Sequence, residues 1–297
     1  MKKINIEEVL ENTYDLSKKK VGYVSIIGRP NAGKSTFINA VIWKQIAITS
    51  NIPQTTRNKI LAVYTTDTSQ IIFLDTPWIH ESKKAFNQFI NSQALSSINE
   101  ADMILYFIDS TRKSGDEEKY IQDLLSKVEK PVLQVYTKTD IQISDVVWDD
   151  IFHISSINKS GFNELIEKIE SYLPKDNMLF PEDIYTQQDL FFRCSEIIRG
   201  NAFDYIKEEL PHSIYVEVAD IEHEEKMYKI NAYLYAESDS QKYILIGKNG
   251  ELIKKIATSS RKDLEIILEK KVFLTLRVKV RKNWRKDIDF VKRQFKK

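Results

Sequence analysis

The chain has 297 residues, is 42% hydrophobic and carries a formal net charge of +1, so two domains with cores of their own fit within it. A single cysteine, Cys194, rules out a disulfide framework and a cysteine-rich metal site, which suits a reducing compartment, and no run of about 18 apolar residues is present to cross a membrane as a helix. The near-neutral total conceals an asymmetry: between Lys270 and Lys297 twelve Lys or Arg stand against two acids, which predicts a polyanionic partner.

Residues 1–20 are expected to form an N-terminal extension. Acids come early in MKKINIEEVL and no long apolar stretch follows, so it does not read as a secretory leader. VGYVSII (21–27) predicts a buried strand, followed by a glycine-bearing loop and a helix at STFINAVIW (35–43). KILAVYTT (59–66) and QIIFLD (70–75) flank a polar turn and read as a hairpin. A strand at 101–109, an amphipathic helix near 116–129, strands at 132–137 and 151–155 and a helix at 161–173 complete the first region. This alternation predicts a mostly parallel sheet with helices on both faces and one antiparallel pair.

PKDNMLFPEDIYT (174–186) breaks the alternation with two prolines and reads as a linker. A different order follows: a helix over 187–209, strands at 213–221 and 226–237, a helix, IGKNG, a second helix, the strand VFLTLRVKV (272–280) and a short basic helix. That is a smaller α+β domain.

Three stretches of the first region carry chemistry. GRPNAGKS (28–35) fits Gly-x-x-x-x-Gly-Lys-Ser and lies between an apolar strand and a helix, as a phosphate-cradling loop must. Its backbone N–H groups and the helix N-terminus attract anions. Lys34 is placed to reach the β and γ phosphates, and Ser35 to ligate Mg²⁺. The strand ending at Asp75 brings a carboxylate towards the same metal, and a threonine of PQTTR (53–57), Thr56 ahead of Thr55, can add a hydroxyl. TKTD (137–140) ends a strand and resembles the guanine-reading element Asn-Lys-x-Asp. Asp140 can accept paired hydrogen bonds from guanine N1–H and the 2-amino group, which adenine does not offer. Lys138 is expected to lay its stem along the base, while Thr137 stands where asparagine is usual. SSI (155–157) supplies a second loop, Ser155, Ser156 and Ile157, on the guanine side. No general base is assigned: Ile79, next to the DTPW stretch, is apolar. None of the four histidines has ligand spacing, and His153 reads as a core or strand-end residue.

In the second region Gly247-Lys248-Asn249-Gly250 joins two helical runs. Glycines there let an RNA backbone approach, and Lys248 adds charge. RVKVRK alternates basic and apolar residues, so Arg277, Lys279 and Arg281 are expected on one strand face, where phosphates can meet them.

GRPNAGKST, PQTTRN and DSQKYILIGKNG (239–250), in this order, resemble the Era-type GTPases over about residues 21–295. That resemblance implies an α/β P-loop G domain at 21–173 (mostly parallel sheet, one antiparallel pair), a linker at 174–186 and a type II KH RNA-binding domain at 187–297. It implies binding of GTP or GDP with Mg²⁺, slow hydrolysis and binding of small-subunit (16S) ribosomal RNA. It further implies assistance to 30S subunit assembly, a cytoplasmic monomer with some peripheral membrane association, and no DNA. The nucleotide contacts carried over are Gly28, Arg29, Pro30, Asn31, Ala32, Gly33, Lys34, Ser35, Thr36, Asp75, Thr76, Pro77 and Trp78, with the guanine loops above. Asn31 matches an asparagine that helps hold K⁺ in related GTPases. Two departures stand out: DTPW (75–78) replaces DTPG, and TKTD replaces Asn-Lys-x-Asp. Glycine reaches positive φ and close approach; Trp78 keeps a backbone N–H but loses both freedoms. Two other readings remain: a KH protein whose G domain binds nucleotide but switches or hydrolyses poorly because of Trp78, and an ATP-dependent phosphotransferase, against which the TKTD and SSI pair argues.

Overall fold

β1 (Lys19–Gly28) lies inside a sheet of order β2-β3-β1-β4-β5-β6, where β2 is Ile60–Thr65, β3 Ser69–Asp75, β4 Met103–Asp109, β5 Val132–Thr137 and β6 Ile151–His153. β2 runs antiparallel to β3, and the remaining neighbours along this path are parallel. The computed structural model describes residues 18–44, 46–47, 59–77, 85–141, 151–206 and 210–287. The expectations on residues 1–17, Thr56, Trp78, Ile79 and the chain beyond Asp287 lie outside the described residues. The described residues divide into two compact units, one of residues 18–44, 59–77, 93–141 and 151–187, the other of residues 188–206 and 210–287 together with 46–47 and 85–92.

The central strands are buried on both faces, which is why they read as continuous apolar runs rather than alternating ones. Helices α1 (Lys34–Ile42), α2 (Ala85–Glu100), α3 (Asp116–Leu125) and α4 (Phe162–Tyr172) connect and follow them. Phe37 of α1 anchors this arrangement. Its ring meets Phe73, Phe107 and Phe162 edge-on at 5.6, 5.2 and 5.0 Å. One fully buried phenylalanine contributes about 1.5–3 kcal/mol of apolar burial. Here it also fixes the helix that follows the glycine-bearing loop after β1. α3 is held at its start by Glu118, whose Oε2 accepts the Gly115 N–H at 2.9 Å.

The 174–186 stretch, expected as a linker, is fastened along the first unit. β7 (Lys175–Asp176) pairs antiparallel with the start of β1. The buried Gln70 side chain accepts from the Leu179 and Phe180 N–H groups at 2.8 and 3.0 Å and donates to the Phe180 carbonyl at 2.8 Å. Further on, Val63 N–H donates to the Tyr185 carbonyl, and the Thr186 hydroxyl donates to the Leu61 carbonyl. The prolines break the helix pattern without freeing the chain.

The second unit runs α5 (Leu190–Tyr205), a single turn α6 (Leu210–Ser213), β8 (Tyr215–His223), β9 (Met227–Ala236), α7 (Asp239–Ile246), α8 (Glu251–Leu268) and β10 (Lys271–Val280). Its sheet has order β10-β9-β8, with β10 parallel and β8 antiparallel to β9. Ile198 and Ala202 of α5, Leu245 of α7 and Ile256 and Leu264 of α8 bury against Ala232, Leu234 and Val272 of the sheet. The expected single helix over 187–209 ends at Tyr205. The closing turn Trp284–Lys286 is secured by Trp284, fully buried, whose indole N–H donates to the Ser213 carbonyl at 2.9 Å.

Candidate functional site

The order of strands reverses at β1: β1 leads by sequence to β2 and β3 on one side, and the chain then crosses to β4 on the other. The crevice at the C-terminal ends of parallel strands is where such sheets take ligands. The loop after β1 opens there. Gly33 caps α1 at φ +86°, a left-handed conformation that glycine adopts without strain, and its carbonyl takes the Phe37 N–H at 2.9 Å. Asn31 also has positive φ, +63°. Lys34 is buried, and its ammonium donates to the carbonyls of Gly28 and Arg29, each at 3.0 Å. Burial pushes its pKa down, with the Asp75 charge acting in the opposite sense. A cation so curled over its own loop is placed for phosphate oxygens.

Arg29 turns to α3 with its side chain only 12% exposed. Its guanidinium binds Glu117 and Glu118 of α3 at 2.5 Å each, ties the loop to that helix and is charge-satisfied there. Pro30 is partly exposed, Ala32 is buried and Thr36 is exposed.

Ser35 Oγ donates to Asp75 Oδ2 at 2.7 Å. A hydroxyl and a carboxylate side by side are the hard oxygen donors that Mg²⁺ takes together with phosphates. Among the described residues no group of three His, Cys, Asp or Glu forms a self-sufficient metal cage. The donor set therefore fits Mg²⁺ carried with a nucleotide. Beyond Asp75, the Thr76 hydroxyl donates to the Ile26 carbonyl at 2.8 Å, and Pro77 is buried.

The loops expected on the guanine side lie at the ends of β5 and β6. The Thr137 hydroxyl, donating to the Ala32 carbonyl at 2.9 Å, ties this loop to the phosphate loop. Lys138, at φ +59°, donates to Asp109 Oδ2 at 2.6 Å. Ser155 Oγ donates to Asp140 Oδ1 at 2.6 Å and accepts the Ile157 N–H at 3.2 Å. Ser156 is half-buried, and Ile157 is exposed. His153 ends β6 and stacks on Tyr136 with ring centroids 5.5 Å apart.

In the second unit the loop 247–250 joins α7 to α8. Gly247 and Gly250 both have positive φ, and Lys248 and Asn249 are exposed. Beside the loop, Tyr243 and Ile244 of α7 are 73% and 57% exposed, while Leu245 is buried and Ile246 half-buried. The run YILI hid them, because adjacent apolar residues on a short helix cannot all face one core.

Arg277 and Lys279 project from the outer face of β10, with the Lys279 ammonium 3.2 Å from the Tyr233 ring centroid. Arg281 lies one residue beyond β10, its N–H still donating to the Ala236 carbonyl of β9 at 2.8 Å. β10 ends at Val280, and the Arg281 guanidinium turns to Asp287 at 2.8 Å.

Sequence reasoning missed Asp109, Glu117 and Glu118. ADMILYFID ends on an acid just as QIIFLD does, which was the available signal for Asp109.

Two family models match the chain, one described as a 50S ribosome-binding GTPase over residues 23–138 and one as a KH domain over residues 209–285. Over 288 residues the chain is 40% identical to GTPase Era of Treponema denticola, covering 92% of this chain and 98% of the relative. It is 42% identical over 285 residues to GTPase Era of Borrelia turicatae, with the same two coverages. Two solved structures match with a TM-score of 0.88 at 35% identity, each over 93% of this chain and 98% of the other. One is an Aquifex aeolicus Era variant bound to GDP.AlF4⁻, and the other is Era in complex with MgGDPNP and nucleotides 1506–1542 of 16S ribosomal RNA.

Proposed function

The chain belongs to the Era family of GTPases, and from that premise we propose that it binds GTP and hydrolyses it slowly, binds small-subunit (16S) ribosomal RNA and assists 30S subunit assembly. The observation that carries this reading is the convergence of the loops at 28–35, 75–77, 137–140 and 155–157 at the C-terminal ends of one parallel sheet, in a chain that also holds the loop 247–250. Era solved with MgGDPNP and nucleotides 1506–1542 of 16S ribosomal RNA supports it.

In this reading the 28–35 loop cradles phosphates through its N–H groups, and Lys34 leaves its carbonyl partners for the β and γ oxygens. Ser35, Asp75 and Thr56 hold Mg²⁺, which when bound neutralises charge on the β and γ phosphates. Asp140 reads guanine, aligned by Ser155. With no general base among these residues, the chain's contribution is positioning and electrostatics, so intrinsic turnover is slow. Asn31 offers K⁺ an oxygen beside the phosphates. The RNA backbone is taken at Gly247, Lys248, Asn249 and Gly250, with phosphate contacts from Arg277 and Lys279. Arg281, already paired, contributes less. The protein works as a cytoplasmic monomer with peripheral contact to the inner membrane face and without DNA.

DTPW at 75–78 favours a second reading, in which nucleotide binds but switching is impaired. Titration with GTP, GDP and ATP, followed by multiple-turnover hydrolysis with and without the RNA, tests both. Preference for ATP overturns the guanine assignment. GTP binding with no turnover under any condition supports the second reading over the first.

A further inference from the structure

We infer that Asp109 is a positioning residue for the guanine-side loop, holding Lys138 extended so that its stem forms one wall of the base site. The inference rests on the guanine reading of residues 137–140.

Asp109 is the last residue of β4 and pairs in register with Thr137, the last residue of β5. Its side chain is only 3% exposed. Both carboxylate oxygens are used: Oδ2 accepts from the Lys138 ammonium at 2.6 Å, and Oδ1 accepts from the Thr111 N–H at 3.0 Å and the Thr111 hydroxyl at 2.7 Å. The Thr111 bonds fix the carboxylate from behind, and the carboxylate in turn fixes the lysine.

Lys138 needs such a hold. Its φ of +59° lies in the left-handed region, uncommon for a side chain of its size. A free lysine loses much rotamer freedom when it orders against a ligand. Here the ammonium is pinned before any ligand arrives, and the four-carbon stem stretches between the backbone and Asp109 as an apolar strip, about one-third exposed.

Thr137 makes this hold matter more. A threonine hydroxyl has one proton, and here it lies 2.9 Å from the Ala32 carbonyl and 3.3 Å from the Ile108 carbonyl. The two donors of an asparagine amide are replaced by one that is already committed. The Asp109–Lys138 pair supplies the second fixed point of the loop.

The test uses the full chain and titrations with GTP and xanthosine triphosphate. Asp109→Asn keeps an oxygen for Thr111 but loses the charge that holds Lys138. It is expected to weaken both nucleotides alike, by about tenfold, as for a lost charge-assisted hydrogen bond. Combined with Lys138→Met it is expected to cost no more than Lys138→Met alone. Wild-type affinity in Asp109→Asn, or fully additive losses in the double variant, overturns the inference. If Asp109→Asn does not fold, Lys138→Gln carries the test. It keeps most of the stem and removes the held cation, so equal losses for GTP and xanthosine triphosphate support the inference, and unchanged GTP affinity overturns it. Asp140→Asn separates the two readings. It must shift preference from GTP to xanthosine triphosphate if the loop reads guanine. Such a shift alongside an unaffected Asp109→Asn leaves the guanine reading standing and removes only the role of Asp109.

Discussion

Ser35 and Asp75 meet at 2.7 Å, hydroxyl to carboxylate, joining the first turn of α1 to the last residue of β3. Each comes from an element positioned by the Phe37 cluster, so their meeting is a property of the packed sheet rather than of a loop. If both ligate Mg²⁺, Ser35→Ala and Asp75→Asn each remove an oxygen donor. GTP affinity measured with Mg²⁺ is expected to fall at least tenfold, and affinity measured in excess chelator to change little. An equal loss under both conditions places the two residues in phosphate or structural contact instead.

The acid limit of the fold should carry a signature of Asp109. Burial pushes its carboxyl up, but hydrogen bonds from Lys138 and Thr111 and the Lys138 charge hold it below the usual value. The unfolded carboxyl titrates near about 3.9. Between the two values the unfolded chain binds more protons, so stability drops as pH falls through that window. Chemical unfolding of the wild type between about pH 5 and 3 is expected to lose stability more steeply than that of Asp109→Asn, with the curves converging at the acid end.

Gln70 tests the strap. Its amide satisfies three backbone groups of residues 179–180 from a fully buried position. Gln70→Leu leaves those groups without a partner, at about 1–3 kcal/mol for each that stays buried. Loss of roughly 2–4 kcal/mol in urea unfolding of the first unit, with new proteolytic cleavage inside 174–186, is expected. Unchanged cleavage would show that the prolines and Thr186 hold the strap unaided.

The two glycines of the 247–250 loop are not equivalent. A Cβ at Gly247 meets the Leu252 Cβ at 2.8 Å and its backbone nitrogen at 3.0 Å, whereas one at Gly250 meets nothing within 4 Å. Gly247→Asp therefore disturbs the start of α8 itself, and Gly250→Asp is the cleaner probe, since it adds charge and bulk towards solvent with only backbone strain inside. Gly250→Asp is expected to abolish binding of single-stranded RNA while the circular dichroism spectrum stays native. Arg277→Ala should weaken binding and lower the salt slope by about one unit, and Arg281→Ala by less, because that guanidinium already serves Asp287.

The sheet and both loops were legible because each is set by local pattern: buried strands as apolar runs, the cradle as glycines between a strand and a helix. The pairings that complete the site were not. Asp109 and Lys138 are separated by 29 residues, and Arg29 and Glu118 by 89, so only the order of strands brings them together. The partner of Arg281 was hidden as well. Alternation in RVKVRK shows the run of basic residues but not that the Arg281 guanidinium meets Asp287. The strap was hidden because prolines and loose charges look the same whether a segment hangs free or lies hydrogen-bonded along an edge.

Two tryptophans stand where glycine would be usual, Trp43 by its backbone and Trp78 by the family pattern DTPG. Trp43 ends α1 at φ +60°, the left-handed closing position, and it is tolerated with a side chain 78% exposed. Trp43→Gly should raise stability by about 1 kcal/mol, the usual cost of that conformation for a larger residue. Trp78 follows a different neighbour. The chain before it is fixed: Asp75 by Ser35, Thr76 by the Ile26 carbonyl, and Pro77 by burial and its own ring. If the response to a γ-phosphate begins at residue 78, tryptophan gives it less backbone freedom than the glycine of the family pattern. Nucleotide binding, if it rests on Lys34, Ser35 and Asp75, is expected to be similar in the wild type and in Trp78→Gly. Single-turnover GTP hydrolysis is expected to be faster in Trp78→Gly, and the difference in hydrogen exchange between GDP and GTP states over 76–90 to be larger. Equal turnover and an equal exchange difference in the two proteins would show that the Trp78 N–H alone suffices and that the switch operates with the larger residue in place.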